Sequence, residues 1–439
     1  MDSADYVRIK PFFDDAEQLV TGVVHDLYGY STNAKQRQLV TSRLHDGLPG
    51  SRHKRRHFLG RCNEYAKTTG PLDYLTTILE VHGHLDRARW RADAKDAPNP
   101  DPLSYQALDN AKIILAFADR EIATSERVYG PIKDWDVSGV TNMKAVFSSY
   151  RVGEKVRRDL STYDLSAWDV SNVENMSGMF FKTEDFNGDL SAWEVSKVDN
   201  MSYMFQDATS FNGDLSAWDV SNVKTMTFMF SGATSFEGEG TGKWNVSNVV
   251  YIENMFDGAT VFRGNLSLWK LGRVGEVSSG MSNAGSMKSM FKDAVNFNCD
   301  LSDWNVGGVL DMTSMFEGAT SFNNDLSAWK VSRAVLMTAM FKNAVSFKGT
   351  GLNKWTTQDV TDMESMFSGA VAFNGDLSGW DVSNVGSTRS MFAGAKSFKR
   401  DLSRWKLPRV RDMRLMFDAN APKIPGWFKK FQKSGRYWR

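Results

Sequence analysis

A chain of 439 residues with 41% hydrophobic and 24% charged side chains has the composition of a folded protein, which excludes a disordered polyelectrolyte. Its net charge of +1 excludes a uniformly basic nucleic-acid binder, although the last nineteen residues carry six basic side chains and no acid. Cys62 and Cys299 are the only cysteines, too few and too far apart for a disulfide framework or a thiolate metal site, and are expected as free thiols in a reducing compartment.

Residues 1–95 read as an all-α module. "FFDDAEQLVTGVVHDLYGY", "AKQRQLVTSRLHDG" and "PLDYLTTILEVHGHLDRARW" carry apolar residues at helical spacing. Within this module "RHKRRH" places Arg52, Lys54, Arg55 and Arg56 together. The cluster is either a solvated surface or a contact for an acidic partner or phosphate. His82 and His84 stand two apart, which on a helix points them to different faces and argues against a shared metal. "DAPNPDP" (96–102) is a stiff proline-rich linker, and 103–127 is a helix expected to cap the segment that begins at residue 128.

From residue 128 the chain repeats itself. Tryptophans recur at 135, 168, 193, 218, 244, 269, 304, 329, 355, 380 and 405, mostly 25 or 26 residues apart. Twelve residues after nearly every one stands a Phe, usually preceded by Met, as in Met204-Phe205 and Met229-Phe230. Eleven units result, and a period of this length marks a repeat architecture in which each unit shares its core with the next. In one unit Met201, Met204, Phe205 and Ala208 fall at i, i+3, i+4 and i+7, the spacing of a two-turn helix. "LSAWDV" places Trp218 and Val220 two apart, as on one face of a strand, and Asn212-Gly213-Asp214 is turn chemistry. The expected fold is therefore an α/β repeat solenoid over 128–418, about eleven coils joined by a parallel sheet and short helices.

Two insertions break the period. "RVGEKVRR" (151–158) offers Arg151, Lys155, Arg157 and Arg158 as candidate partner contacts, and "GEVSSGMSNAGSM" is rich in glycine and serine. The tail 419–439 contains "WFKKFQKSGRYWR". There Trp427 and Phe428 are expected to close the end of the core, while Lys429, Lys430, Lys433 and Arg436 are candidates for contact with an anionic surface or nucleic acid.

"YGPIKDWDVSGVTNMKAVF" and "FNGDLSAWDVSNVKTMTFMF" resemble the BspA-like leucine-rich-repeat family, first grouped as a mycoplasma lipoprotein repeat, across roughly residues 128–418. Residues 1–95 resemble no family. The resemblance implies a leucine-rich-repeat-like fold in proteins that are mostly surface-displayed and interaction-prone. The chain departs from the lipoprotein pattern in having no lipidation cysteine near its start.

The repeated Trp, Met and Phe read as core, and the recurring Ser and Asp as turn residues, since a catalytic group needs to occur once. No histidine lies in 131–439, which excludes histidine catalysis and histidine-ligated metal from the repeats. No catalytic, cofactor or metal residue is assigned. The expectation is a non-enzymatic scaffold for protein partners, with a structural component of a large assembly, such as a viral particle, as the alternative. With no apolar run of eighteen residues and no signal-peptide pattern, an intracellular or particle-associated location is expected. Excising one whole unit, residues 193–217, should leave a cooperatively melting protein by circular dichroism, whereas removing fifteen residues should not.

Overall fold

The chain divides into two units, Met1–Ala97 and Pro98–Arg439. The computed structural model describes residues 108–109, 130–148, 160–272, 285–418 and 425–433, with single positions at 110, 113, 116, 117, 126, 129 and 274. The α module over 1–95, the linker, both insertions and most of the 103–127 segment lie outside the described residues.

The repeats stack in register, but they are built neither from helices nor from a sheet. Among the described residues beyond 130, regular structure amounts to three 3₁₀ turns and one helix. The turns are Ile132–Asp134, Thr241–Lys243 and Leu352–Lys354, and the helix is Gly426–Lys433. Neighbouring coils meet through single parallel bridges, among them Asn175↔Asn200, Asn200↔Thr225 and Thr225↔Tyr251. The expected α/β architecture with short helices and a parallel sheet is thus incorrect.

The segment read as a helix shows why. Met201, Met204, Phe205 and Ala208 are all fully buried, as their spacing requires. Yet the N–H of Met204 bonds to the carbonyl of Met201 (3.3 Å) and that of Ala208 to Phe205 (3.1 Å), a three-residue closure instead of the four of an α-helix. Alternate N–H groups leave the coil, while that of Gln206 closes on Tyr203 (3.2 Å). Tyr203 donates to Thr227 (2.9 Å), Phe205 to Met229 (2.8 Å) and Asp207 to Ser231 (2.7 Å), all in the next coil. Two residues of the segment, Tyr203 (φ 62°) and Asp207 (φ 56°), take left-handed backbone angles. A turn closed by an i→i+3 bond with a positive φ at its third residue is of type II. A run of such turns produces the same three-and-four spacing of buried residues as a helix, so the spacing alone does not separate the two.

"LSAWDV" is corrected in the same way. The main-chain N–H of Trp218 donates to Leu215 (3.2 Å) and that of Val223 to Val220 (3.0 Å), so the stretch is one turn that leads into a second. Trp218 and Val220 do share the inward side, as their spacing implies.

Stacking aligns three aromatic columns. Phe205 lies over Phe180 at 5.4 Å and under Phe230 at 5.5 Å, with planes within 5°. Phe211 packs on Phe205 of its own coil at 4.0 Å and continues to Phe236 at 5.8 Å. The indoles form the third column, with Trp218–Trp244 at 6.4 Å and Trp355–Trp380 at 6.1 Å. Trp269 and Trp304 stack at 6.1 Å and 2°, so the column passes the second insertion without interruption. A buried indole N–H needs an acceptor. Here Trp135, the first, donates to the Gly130 carbonyl (2.7 Å), and the later indoles donate to a main-chain carbonyl of an earlier coil: Trp193 to Leu165 (2.9 Å), Trp218 to Leu190 (3.0 Å), Trp244 to Leu215 (3.1 Å).

Both ends of the columns are covered. At the start, Phe117 sits 5.0 Å from Trp135 and 4.5 Å from Phe147. The Asn110 side-chain oxygen accepts the N–H groups of Thr141 (2.9 Å) and Asn142 (3.0 Å), where later coils use a carbonyl of the coil before. At the far end, Trp427 of the helix Gly426–Lys433 donates to the Leu402 carbonyl at 3.0 Å, repeating the ladder bond without a repeat unit around it. Phe428, fully buried, meets Phe417 edge-on at 5.1 Å.

The left-handed positions make a stability prediction. Ser314 has φ 56° and Gly318 φ 70° within one coil. Ser314→Gly should raise stability by about 1 kcal/mol by removing a side chain from that backbone conformation. Gly318→Ala should lower it by more, because the added Cβ also runs into the Asp293 carboxylate. Chemical denaturation of both variants checks the pair of signs.

Candidate interaction surface

Of the basic residues singled out as partner contacts, few fall in described structure. Arg52, Lys54, Arg55, Arg56, Arg151, Lys155, Arg157, Arg158 and Arg436 lie outside it. Lys429 is exposed on the helix Gly426–Lys433, and Lys430 and Lys433 belong to the same helix, whose Trp427 and Phe428 are turned to the core. Those two aromatic residues of the tail are therefore spent on closing the stack, and Lys429 beside them is exposed.

The recurring Asp and Ser residues are local turn braces. Asp169 accepts the N–H of Ser171 (3.0 Å), Asp189 that of Ser191 (2.9 Å), and Asp219 that of Ser221 (3.0 Å), each two residues on. The hydroxyl and then the N–H of Ser166 and Ser171 hold Asp164 and Asp169 below the usual carboxylate range. These groups stabilise the fold above the unfolded carboxylate pKa, and that contribution is lost as pH falls through their lowered folded values. Their repetition and their hydrogen bonds give them a structural role in the turns.

The positions beside the parallel bridges vary from coil to coil, and there a polar chain crosses three coils. The Ser202 hydroxyl meets Thr225 at 2.7 Å, Thr225 meets Thr227 at 3.4 Å, and Thr227 donates to Glu253 at 3.3 Å. Glu253 is only 7% exposed, and burial pushes its carboxyl above the ordinary range. Burial, and then the neighbouring Glu253, raises the Tyr251 phenol as well. Farther along, Lys292 bridges Asp257 (3.4 Å) and Asp293 (3.3 Å), and Lys342 pairs with Glu317 (2.7 Å), so alternate charges brace successive coils.

One surface feature escaped the reading of the sequence. The first left-handed position of each coil holds Ala145, Gly178, Asn254, Ser289, Ser314, Ala339, Ser365 or Ser390 in most units, but Tyr203, Phe228 and Leu415 in three. Tyr203 and Phe228 stack at 5.2 Å and 9°, with Tyr203 42% exposed. Aligning the units would have exposed the pair as the aromatic exceptions in a column of small residues. What the sequence withheld is that this column faces outward, because a helix would have placed it differently.

Among the described residues no cluster of His, Cys, Asp and Glu is placed to hold a metal ion, and no helix is long and apolar enough to cross a membrane.

Glu253 supplies a pH test. A raised folded pKa means the folded state holds the proton more tightly than the unfolded chain. This group therefore favours folding below its unfolded pKa, and the benefit disappears as pH rises through the folded value. Glu253→Gln, which keeps the shape and never ionises, should raise the melting temperature at pH 7 and have a smaller effect at pH 4. Thermal melts at the two pH values measure this.

Residues 118–427 match one family model in four overlapping stretches, 118–242, 153–269, 239–350 and 337–427. No curated protein and no solved structure matches the chain. The match spans more than half of the chain and coincides with the stacked coils, so the chain belongs to the repeat family described as Mycoplasma protein of unknown function, DUF285.

Proposed function

We propose that the chain is a non-enzymatic scaffold whose stacked coils present a surface to protein partners. One observation carries this reading. The residues that recur are consumed by the structure, the Trp, Met and Phe side chains in the core and the Asp–Ser pairs in turns. What remains at the surface is the set of side chains that differ between coils, which is what a partner needs in order to find one place on a repetitive molecule. The likeness of "WDVSNV" repeats to BspA-like proteins, mostly surface-displayed and interaction-prone, supports the same reading. The basic elements act as electrostatic contacts, with Arg151, Lys155, Arg157 and Arg158 as one group and Lys429, Lys430, Lys433 and Arg436 as another.

Affinity recovery of the full chain from native extract, followed by size exclusion, tests the proposal. A stoichiometric protein complex is expected. Changing either basic group to glutamine should reduce recovery, with a larger loss at ~0.1 M salt, where the Debye length is ~10 Å, than at ~1 M, where it is ~3 Å. Substitution is preferable to truncation after Asn420, which would also remove Trp427 and Phe428 from the core. A lone monomer without partners, or turnover of a substrate by the full chain, would overturn the scaffold reading.

A further inference from the structure

We infer that the step between Gly178 and Tyr203 is a binding site for an aromatic side chain carried on a basic segment of a partner protein. The proposal rests on the scaffold reading and names where one contact is made and by what chemistry.

Tyr203 and Phe228 occupy equivalent positions in neighbouring coils, and their rings stack nearly parallel at 5.2 Å. One face of the Tyr203 ring is covered by Phe228. The other looks toward the coil before, where the equivalent residue is Gly178, joined to that coil by the bond from the Gly178 N–H to the Ser202 carbonyl (2.8 Å). A Cβ at Gly178 would touch the Phe181 Cβ at an ordinary 3.8 Å and clash with nothing, so this position has room for a small side chain. One coil farther back the position holds Ala145, again small. The aromatic pair therefore ends at two small residues, with the solvent-exposed phenol of Tyr203 as its last ring.

Both rings also stand on backbone that bulky residues avoid, at φ 62° for Tyr203 and 57° for Phe228. Most coils solve the same turn with Gly, Ala, Ser or Asn. The angle belongs to the turn in every coil, so it is the choice of a bulky ring there, 42% exposed at Tyr203, that points to use. A further aromatic ring laid on Tyr203 would extend the stack in the geometry that offset aromatic pairs prefer.

Charge selects the kind of partner. Residues 169–230, which surround the step, contain ten acidic side chains and three basic ones, a net charge of −7. Lys224, one of the three, is already paired with Asp199 at 3.0 Å. Such a field repels the phosphates of a nucleic acid and attracts a peptide whose aromatic residue is flanked by lysine or arginine.

The test uses the full chain and fluorescent pentapeptides followed by anisotropy at low salt. Lys-Arg-Trp-Arg-Lys should bind about tenfold more tightly than Lys-Arg-Ala-Arg-Lys. Glu-Asp-Trp-Asp-Glu should bind more weakly than either. Tyr203→Ala should abolish the preference for the tryptophan peptide. Gly178→Asn should do the same by placing a side chain there, and its fold is safeguarded because Asn254 already takes φ 55° at the equivalent position. Equal affinity for the tryptophan and alanine peptides, an unchanged preference in Gly178→Asn, or tighter binding of single-stranded oligothymidine than of any peptide would overturn the proposal. If partner recovery survives Gly178→Asn undiminished, this site falls while the scaffold reading stands. If the unaltered chain recovers no partner but keeps the ring preference, the scaffold reading falls and the site stands.

Discussion

Every coil of this protein depends on one division of labour among its backbone N–H groups. Along the segment from Met201 to Ala208, alternate groups close turns within the coil and the others bond to carbonyls of the next coil. A main-chain donor buried without a partner is costly, so a coil of this kind is satisfied only when its neighbour is present. Left-handed residues, two per coil in most units, are the geometric condition for it. They turn the chain so that successive donors point alternately along the coil and along the stack. The aromatic columns result from the same register, since coils held by main-chain bonds at equivalent positions must place equivalent side chains over one another.

The ends of the stack illustrate the constraint from the other direction. Where no earlier coil exists, the Asn110 side chain supplies the missing carbonyl, and Phe117 covers the first rings. Where no later coil exists, Trp427 reaches the Leu402 carbonyl from a helix instead of a turn. An unclosed stack is a template for further association, so both devices limit its growth as well as cover its core.

Function separates from structure along the same line. Positions that repeat are occupied by the demands of stacking, and the acidic side chains among them are held by serine donors two residues on. Positions that vary sit beside the bridges, where Ser202, Thr225, Thr227 and Glu253 link across coils, with Ser202 and Glu253 buried, and where the exposed Tyr203 stacks on Phe228. A repetitive frame thus confines individuality to its outer columns.

The sequence by itself determined the period, the number of units and the identity of the buried residues. Burial depends on which side chains are apolar and how they are spaced, and both are written in the chain. It also identified the Ser and Asp residues as turn braces, because those bonds span two residues and need no distant partner. It did not determine the secondary structure. The spacing of Met201, Met204, Phe205 and Ala208 satisfies a helix and a run of type II turns equally well. The choice turns on where the N–H groups of Tyr203, Phe205 and Asp207 find acceptors. Those acceptors are Thr227, Met229 and Ser231, twenty-four residues along the chain, and only the stacking of one coil on the next brings them within reach. The exposed stack of Tyr203 and Phe228 was decided at the same step, since local spacing does not say which side of a turn will face water.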